Sequence, residues 1–107
     1  MRPETDGMML VRAELCERLM SLQTLARRLS ARDFTESVES LKRLAAAYGL
    51  TPVVRIADAL ERSVAEDAGL GSRTLYLHRL EDAIGCERLD EEASQAMLAS
   101  VSIRLSA

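Results

Sequence analysis

The sequence predicts an all-α protein, an antiparallel four-helix bundle with an additional C-terminal helix. Three observations carry that prediction. Apolar residues recur at three- and four-residue spacing along most of the chain, the period of an amphipathic helix. Ala, Leu, Arg and Glu, all strong helix formers, dominate the composition. Only two Pro and five Gly interrupt 107 residues, and several of these fall between the periodic segments. No stretch alternates apolar and polar residues with the period of a strand, and short links between amphipathic helices favour antiparallel neighbours.

Residues 1–7 precede the first periodic segment and are expected to be flexible. The first helix is predicted from Met8 to Ser30, with Val11, Leu15, Leu19, Leu22, Ala26 and Leu29 on its inner stripe beside Met8. Asp33 and Glu36 have the spacing of a capping box, so the second helix is predicted from Phe34 to Tyr48, burying Phe34, Val38, Leu41, Ala45 and Tyr48. Gly49 supplies a left-handed stop. Thr51 then reads as the N-cap of a third helix with Pro52 in its first turn and Val53, Ile56, Ala57, Leu60 and Val64 facing inward. The stretch Asp67–Ser72 breaks that helix. The fourth runs from Arg73 to Ile84, burying Tyr76, Leu77, Leu80 and Ile84, and Gly85 ends it. Acidic residues from Asp90 suit the positive end of a fifth helix reaching about Leu105, with a weaker stripe of Ala93, Ala96, Met97, Ser100 and Ile103.

A chain of 107 residues is expected to form one domain with a core of Leu, Val, Ile, Met and Ala, since it holds one Phe, two Tyr and no Trp. Its net charge of −3, with basic and acidic residues interleaved, argues against a nucleic-acid partner. The N-terminus lacks a signal-peptide pattern and no apolar run is long enough for a membrane span, so the expected address is the cytoplasm. Cys16 and Cys86 lie far apart and form no ligand spacing with His78, the single His. With no Gly-rich phosphate loop and no nucleophile beside a base, neither a cofactor, nor a metal, nor an enzymatic activity is expected.

The stretch from Glu39 to Glu61 reads Glu-Ser-Leu-Lys-Arg-Leu, then Ala-Ala-Ala-Tyr-Gly-Leu-Thr-Pro, then a second amphipathic run ending Ala-Leu-Glu. It resembles the centre of the histidine-containing phosphotransfer domain of bacterial two-component phosphorelays, whose phosphoacceptor stands in a pattern close to His-x-Leu-Lys-Gly. The resemblance covers roughly residues 14–84. Leu41 and Lys42 occupy their family positions, Glu39 stands where the His belongs, and Arg43 replaces the Gly. The resemblance implies a signalling module that docks on a response-regulator receiver domain or a histidine kinase. Without the imidazole, phosphate is not expected to be carried at position 39, because a carboxylate cannot form the phosphoramidate. Thr35, Glu36, Glu39, Lys42, Arg43 and Ala46 form the expected docking face, with Lys42 and Arg43 complementing an acidic receiver pocket. As ordinary helix-surface spacings, Glu39–Lys42 and Glu39–Arg43 also read as weak ion pairs.

Two other features compete for a role. His78 is placed on the exposed side of its helix and is an alternative phosphoacceptor, but Glu81 and Asp82 would repel a phosphoryl group and too few residues follow it to complete the bundle. On the first helix Met9, Ala13, Cys16 and Met20 make a second apolar stripe. Cover by the fifth helix is the expectation; a homodimer or partner interface is the alternative.

Overall fold

The structure, a computed structural model, describes residues 3–66, 69–85 and 95–101. Every element among them is helical. Helices α1 (Pro3–Leu25), α2 (Ala31–Ala47), α3 (Thr51–Ala65) and α4 (Leu70–Gly85) are followed by a helical stretch over residues 95–101. None of these helices is long and apolar enough to cross a membrane. In space α1 packs along α2 and α4, and α3 packs along α2 and α4, with the diagonal pairs set further apart.

The core is built from the predicted stripes. Leu15 and Leu19 of α1, Phe34, Val38 and Leu41 of α2, Ile56 and Leu60 of α3, and Leu80 and Ile84 of α4 are all buried. Helix α3 is the most enclosed, with Pro52, Ala59 and Ser63 joining its predicted inward residues below the surface. Ala83 is an additional buried residue of α4, whereas Tyr76 is only half-buried and Tyr48 is exposed. The guanidinium of Arg73 lies 5.3 Å from the centre of the Phe34 ring, a cation–π contact from α4 to α2. Arg18 ties α1 to α2 by donating to Ser40 Oγ at 2.7 Å.

The helix ends differ from the sequence reading, each for a local reason. Helix α1 begins at Pro3, not Met8, since Pro fixes a helix-compatible φ and lacks only an N–H that the first turn leaves unbonded. It stops at Leu25, where the chain tightens into a turn with the Arg28 amide donating to Leu25 O at 2.8 Å; Ser30 then takes an extended conformation (φ −63°, ψ 161°) and its hydroxyl accepts from the Asp33 amide at 3.1 Å. Ser30, not Asp33, is therefore the N-cap of α2, and Glu36 pairs instead with Arg32 at 3.5 Å.

At the far end of α2, Gly49 adopts φ +70° as expected. Its amide donates to Ala46 O at 3.2 Å and that of Leu50 to Ala45 O at 3.0 Å, a paired closure of the last carbonyls. Leu50 follows the turn into the core and occupies the N-cap position of α3, with no side-chain cap, so Thr51 is the first helical residue and not the cap. Helix α4 starts at Leu70, not Arg73: Gly69 takes φ +91° and accepts from the Arg73 amide at 3.3 Å, which leaves Gly71 inside the helix.

The fifth helical stretch also packs differently. Met97 and Leu98 lean on the core and Val101 is buried, whereas Ala96 is exposed. Ser100 Oγ accepts from Arg79 Nη2 at 2.8 Å, which places the stretch against α4. The expected start near Asp90, the end near Leu105, and the stripe members Ala93 and Ile103 lie outside the described residues. The second stripe of α1 is not covered by residues 95–101, as had been expected: Met9, Ala13, Cys16 and Met20 are all exposed.

Candidate functional site

At 100° per residue, Thr35, Glu36, Glu39, Lys42, Arg43 and Ala46 share one flank of α2, beside the buried stripe of Phe34, Val38, Leu41 and Ala45. Glu36, Arg43 and Ala46 are exposed, while Thr35, Glu39 and Lys42 are half-buried at the border with α3. Glu39, at the centre of the expected docking face, has a side chain 33% exposed. Its neighbour across the border is the reason.

Lys42 Nζ lies 2.9 Å from Glu39 Oε2, 2.8 Å from Asp58 Oδ1 and 3.2 Å from Glu61 Oε1. An ammonium has three N–H donors, and here three carboxylates surround it. Glu61 is the least well aligned of them, accepting weakly through Oε2 at 3.4 Å while its buried Oε1 has no hydrogen bond. Glu39 Oε1 faces Arg43 Nε at 3.4 Å, so each oxygen of Glu39 is engaged by a cation. Both ion pairs foreseen along α2 are present. Their joining to α3 was not foreseen.

The charges shift one another accordingly. The hydrogen bonds that Lys42 donates to Asp58 and then to Glu39 push its ammonium well above the ordinary lysine range, against the opposing effect of burial. The Lys42 hydrogen bond, with a further one from Glu61, holds the Glu39 carboxyl below its usual range. Burial pushes Glu61 up, and the hydrogen bond with Glu39 adds to it. Fully ionised, the carboxylates of Glu39, Asp58 and Glu61 exceed Lys42 and Arg43 by one negative charge.

Asp58 and Glu61 carried a positional signal in the sequence. In a hairpin turning at Leu50, residues equidistant from the turn face each other, which sets Lys42 level with Asp58 and Glu39 level with Glu61. Beside them a groove of about 950 Å³ opens between α2 and α3, lined in part by Thr35, Glu36, Arg55, Asp58 and Glu61.

The remaining candidates lie elsewhere. His78 is exposed on α4, as its helical phase predicts, with Glu81 and Asp82 exposed beside it. Asp82 is 2.9 Å from Arg79. The ion pairs of Glu39 and Lys42 run to Arg43, Asp58 and Glu61, and His78 is not among their partners. Cys16 is an exposed free thiol on α1, and Cys86 lies outside the described residues. Among the described residues no group of His, Cys, Asp or Glu is arranged to hold a metal, and at the carboxylate cluster the Lys42 ammonium occupies the central place. No protein-family model, curated protein or solved structure matches this chain.

Proposed function

We propose that this chain is a signalling module of the phosphotransfer type, an antiparallel four-helix bundle resembling the histidine-containing phosphotransfer domain. It docks on a receiver domain or a histidine kinase through the outer flank of α2 and does not carry phosphate at position 39. The observation that carries this reading is the state of Glu39: it stands at the acceptor position on an open flank, with Lys42 on one oxygen and Arg43 facing the other. A carboxylate paired with two cations is a weaker nucleophile toward phosphorus than a free one, and it cannot form the phosphoramidate of an acceptor His. The same pairing fixes a permanent charge at the centre of a surface suited to contact.

Within that surface the donors of Lys42 are engaged by residues of the chain itself. The cation that reaches a partner is therefore Arg43, whose side chain is 79% exposed. Ala46, one turn further along, leaves room for an approaching helix or loop. A receiver pocket, rich in carboxylates, would meet Arg43 as its complement.

Titration of fluorescently labelled protein with receiver domains and kinases of the source organism tests this. Arg43→Glu is expected to weaken binding at least tenfold while leaving the fold intact, because it reverses an exposed charge. Absence of binding to any of them, or binding indifferent to Arg43→Glu and Glu39→Ala alike, sinks the docking reading.

A further inference from the structure

Helix α1 is apolar on two sides. Met8, Val11, Leu15, Leu19 and Leu22 face the core, while Met9 (62%), Leu10 (72%) and Met20 (64%) are exposed on the outer side with Ala13 and Cys16. The outer residues follow a symmetrical spacing, Met9 to Ala13 by four, Ala13 to Cys16 by three, and Cys16 to Met20 by four. Turned end for end about the point between Glu14 and Leu15, the pattern superposes large on large and small on small.

We propose that α1 is a homodimer interface, in which two copies pair antiparallel about a twofold axis level with that point. Isologous pairing demands a patch that fits its own reverse, and this stripe does. Met9 of each copy then lies level with Met20 of the other, and Ala13 with Cys16. The small central residues let the backbones approach, and the flexible Met side chains fill the space at either end. Leu10 extends the apolar contact along one edge.

The patch consists of five side chains of one helix, Met9, Leu10, Ala13, Cys16 and Met20. It is smaller than the roughly 800 Å² that each partner gives a standard interface, so the dimer is reversible, with a dissociation constant on the order of micromolar or weaker. Since α3 makes no packing contact with α1, pairing through α1 leaves the α2–α3 edge of both copies open. The assembly would present two identical docking flanks.

Sedimentation equilibrium of the full chain from about 1 µM to about 1 mM reads this directly. The wild type is expected to pass from monomer to dimer across that range. Met20→Glu and, separately, Met9→Glu are expected to weaken the dimer at least tenfold with an unchanged far-ultraviolet circular dichroism spectrum, because both positions are exposed in the monomer. Register is read by oxidation in a background with Cys16 and Cys86 replaced by Ser. A mixture of Met9→Cys and Met20→Cys chains should give disulfide-linked heterodimers, and neither chain alone should cross-link. A wild type that stays monomeric, a dimer untouched by both Glu variants, or cross-linking of each Cys variant with itself overturns the proposal.

Discussion

At the scale of the residue, Lys42 organises the candidate site. Its ammonium joins α2 to α3 through Asp58 and Glu61 and steadies Glu39 in the same step. Lys42→Met would leave half-buried carboxylates facing one another, and a loss of about 1–2 kcal/mol in urea denaturation is expected, reduced from the fully buried case by partial exposure. Arg43→Ala, at an exposed position, should fall within about 0.5 kcal/mol of wild type. The pH dependence has a definite sign. Glu61, whose folded pKa is raised above its ordinary 4.5, destabilises the fold while ionised; stability should rise as pH falls from its raised value toward 4.5. Below 4.5 the lowered pKa of Glu39 acts oppositely, and stability is lost as that carboxyl protonates. Urea midpoints across this range should show that Glu61→Gln removes the rise and keeps the acid-side loss. The Glu39–Lys42 and Glu39–Arg43 pairs were legible because they lie within one helix at standard spacing. Asp58 and Glu61 become visible only when the two helices of the hairpin are laid side by side.

At the scale of the element, local chemistry decides where each helix begins and ends. The hydrophobic period located all four long helices and nearly every core residue, because burial repeats along the chain and is written many times over. The ends were less legible, since each rests on one or two hydrogen bonds with competing candidates nearby. Ser30 and Asp33 both suit a cap; the extended backbone at Ser30 decides in its favour. Thr51 suits a cap by type, but the turn at Gly49 draws Leu50 into the core and Leu50 takes the place. Ser30→Ala should therefore cost about 1 kcal/mol and Asp33→Ala less, measured by thermal or urea denaturation. Gly49→Ala meets no neighbouring atom within 4 Å, so its expected cost of about 1–2 kcal/mol comes from the positive φ alone. Leu50→Ala, by contrast, empties a buried position and should cost about 2–4 kcal/mol.

At the scale of the whole molecule, the packing order sets which faces are available. Each long helix packs along two others and turns its remaining side outward. For α2 and α3 that side is charged and cross-braced; for α1 it carries an apolar stripe among polar residues. The sequence showed both stripes of α1 but gave no means of telling which element would cover the second, because helix-to-helix partnership depends on contacts distant in the chain. With residues 95–101 beside α4, the outer stripe of α1 and the outer flank of α2 both stay exposed; the proposed self-association would use the first and the proposed docking the second. The two surfaces are separable, so a Met20→Glu chain should lose self-association and still bind a partner through α2. The most direct test of the account is a titration of isotope-labelled protein with a bound receiver domain or kinase, followed by amide chemical shifts. The account predicts perturbations clustered at Thr35, Glu36, Glu39, Arg43 and Ala46, with His78 unmoved; shifts centred on His78 or on Met9, Cys16 and Met20, with α2 silent, would contradict it.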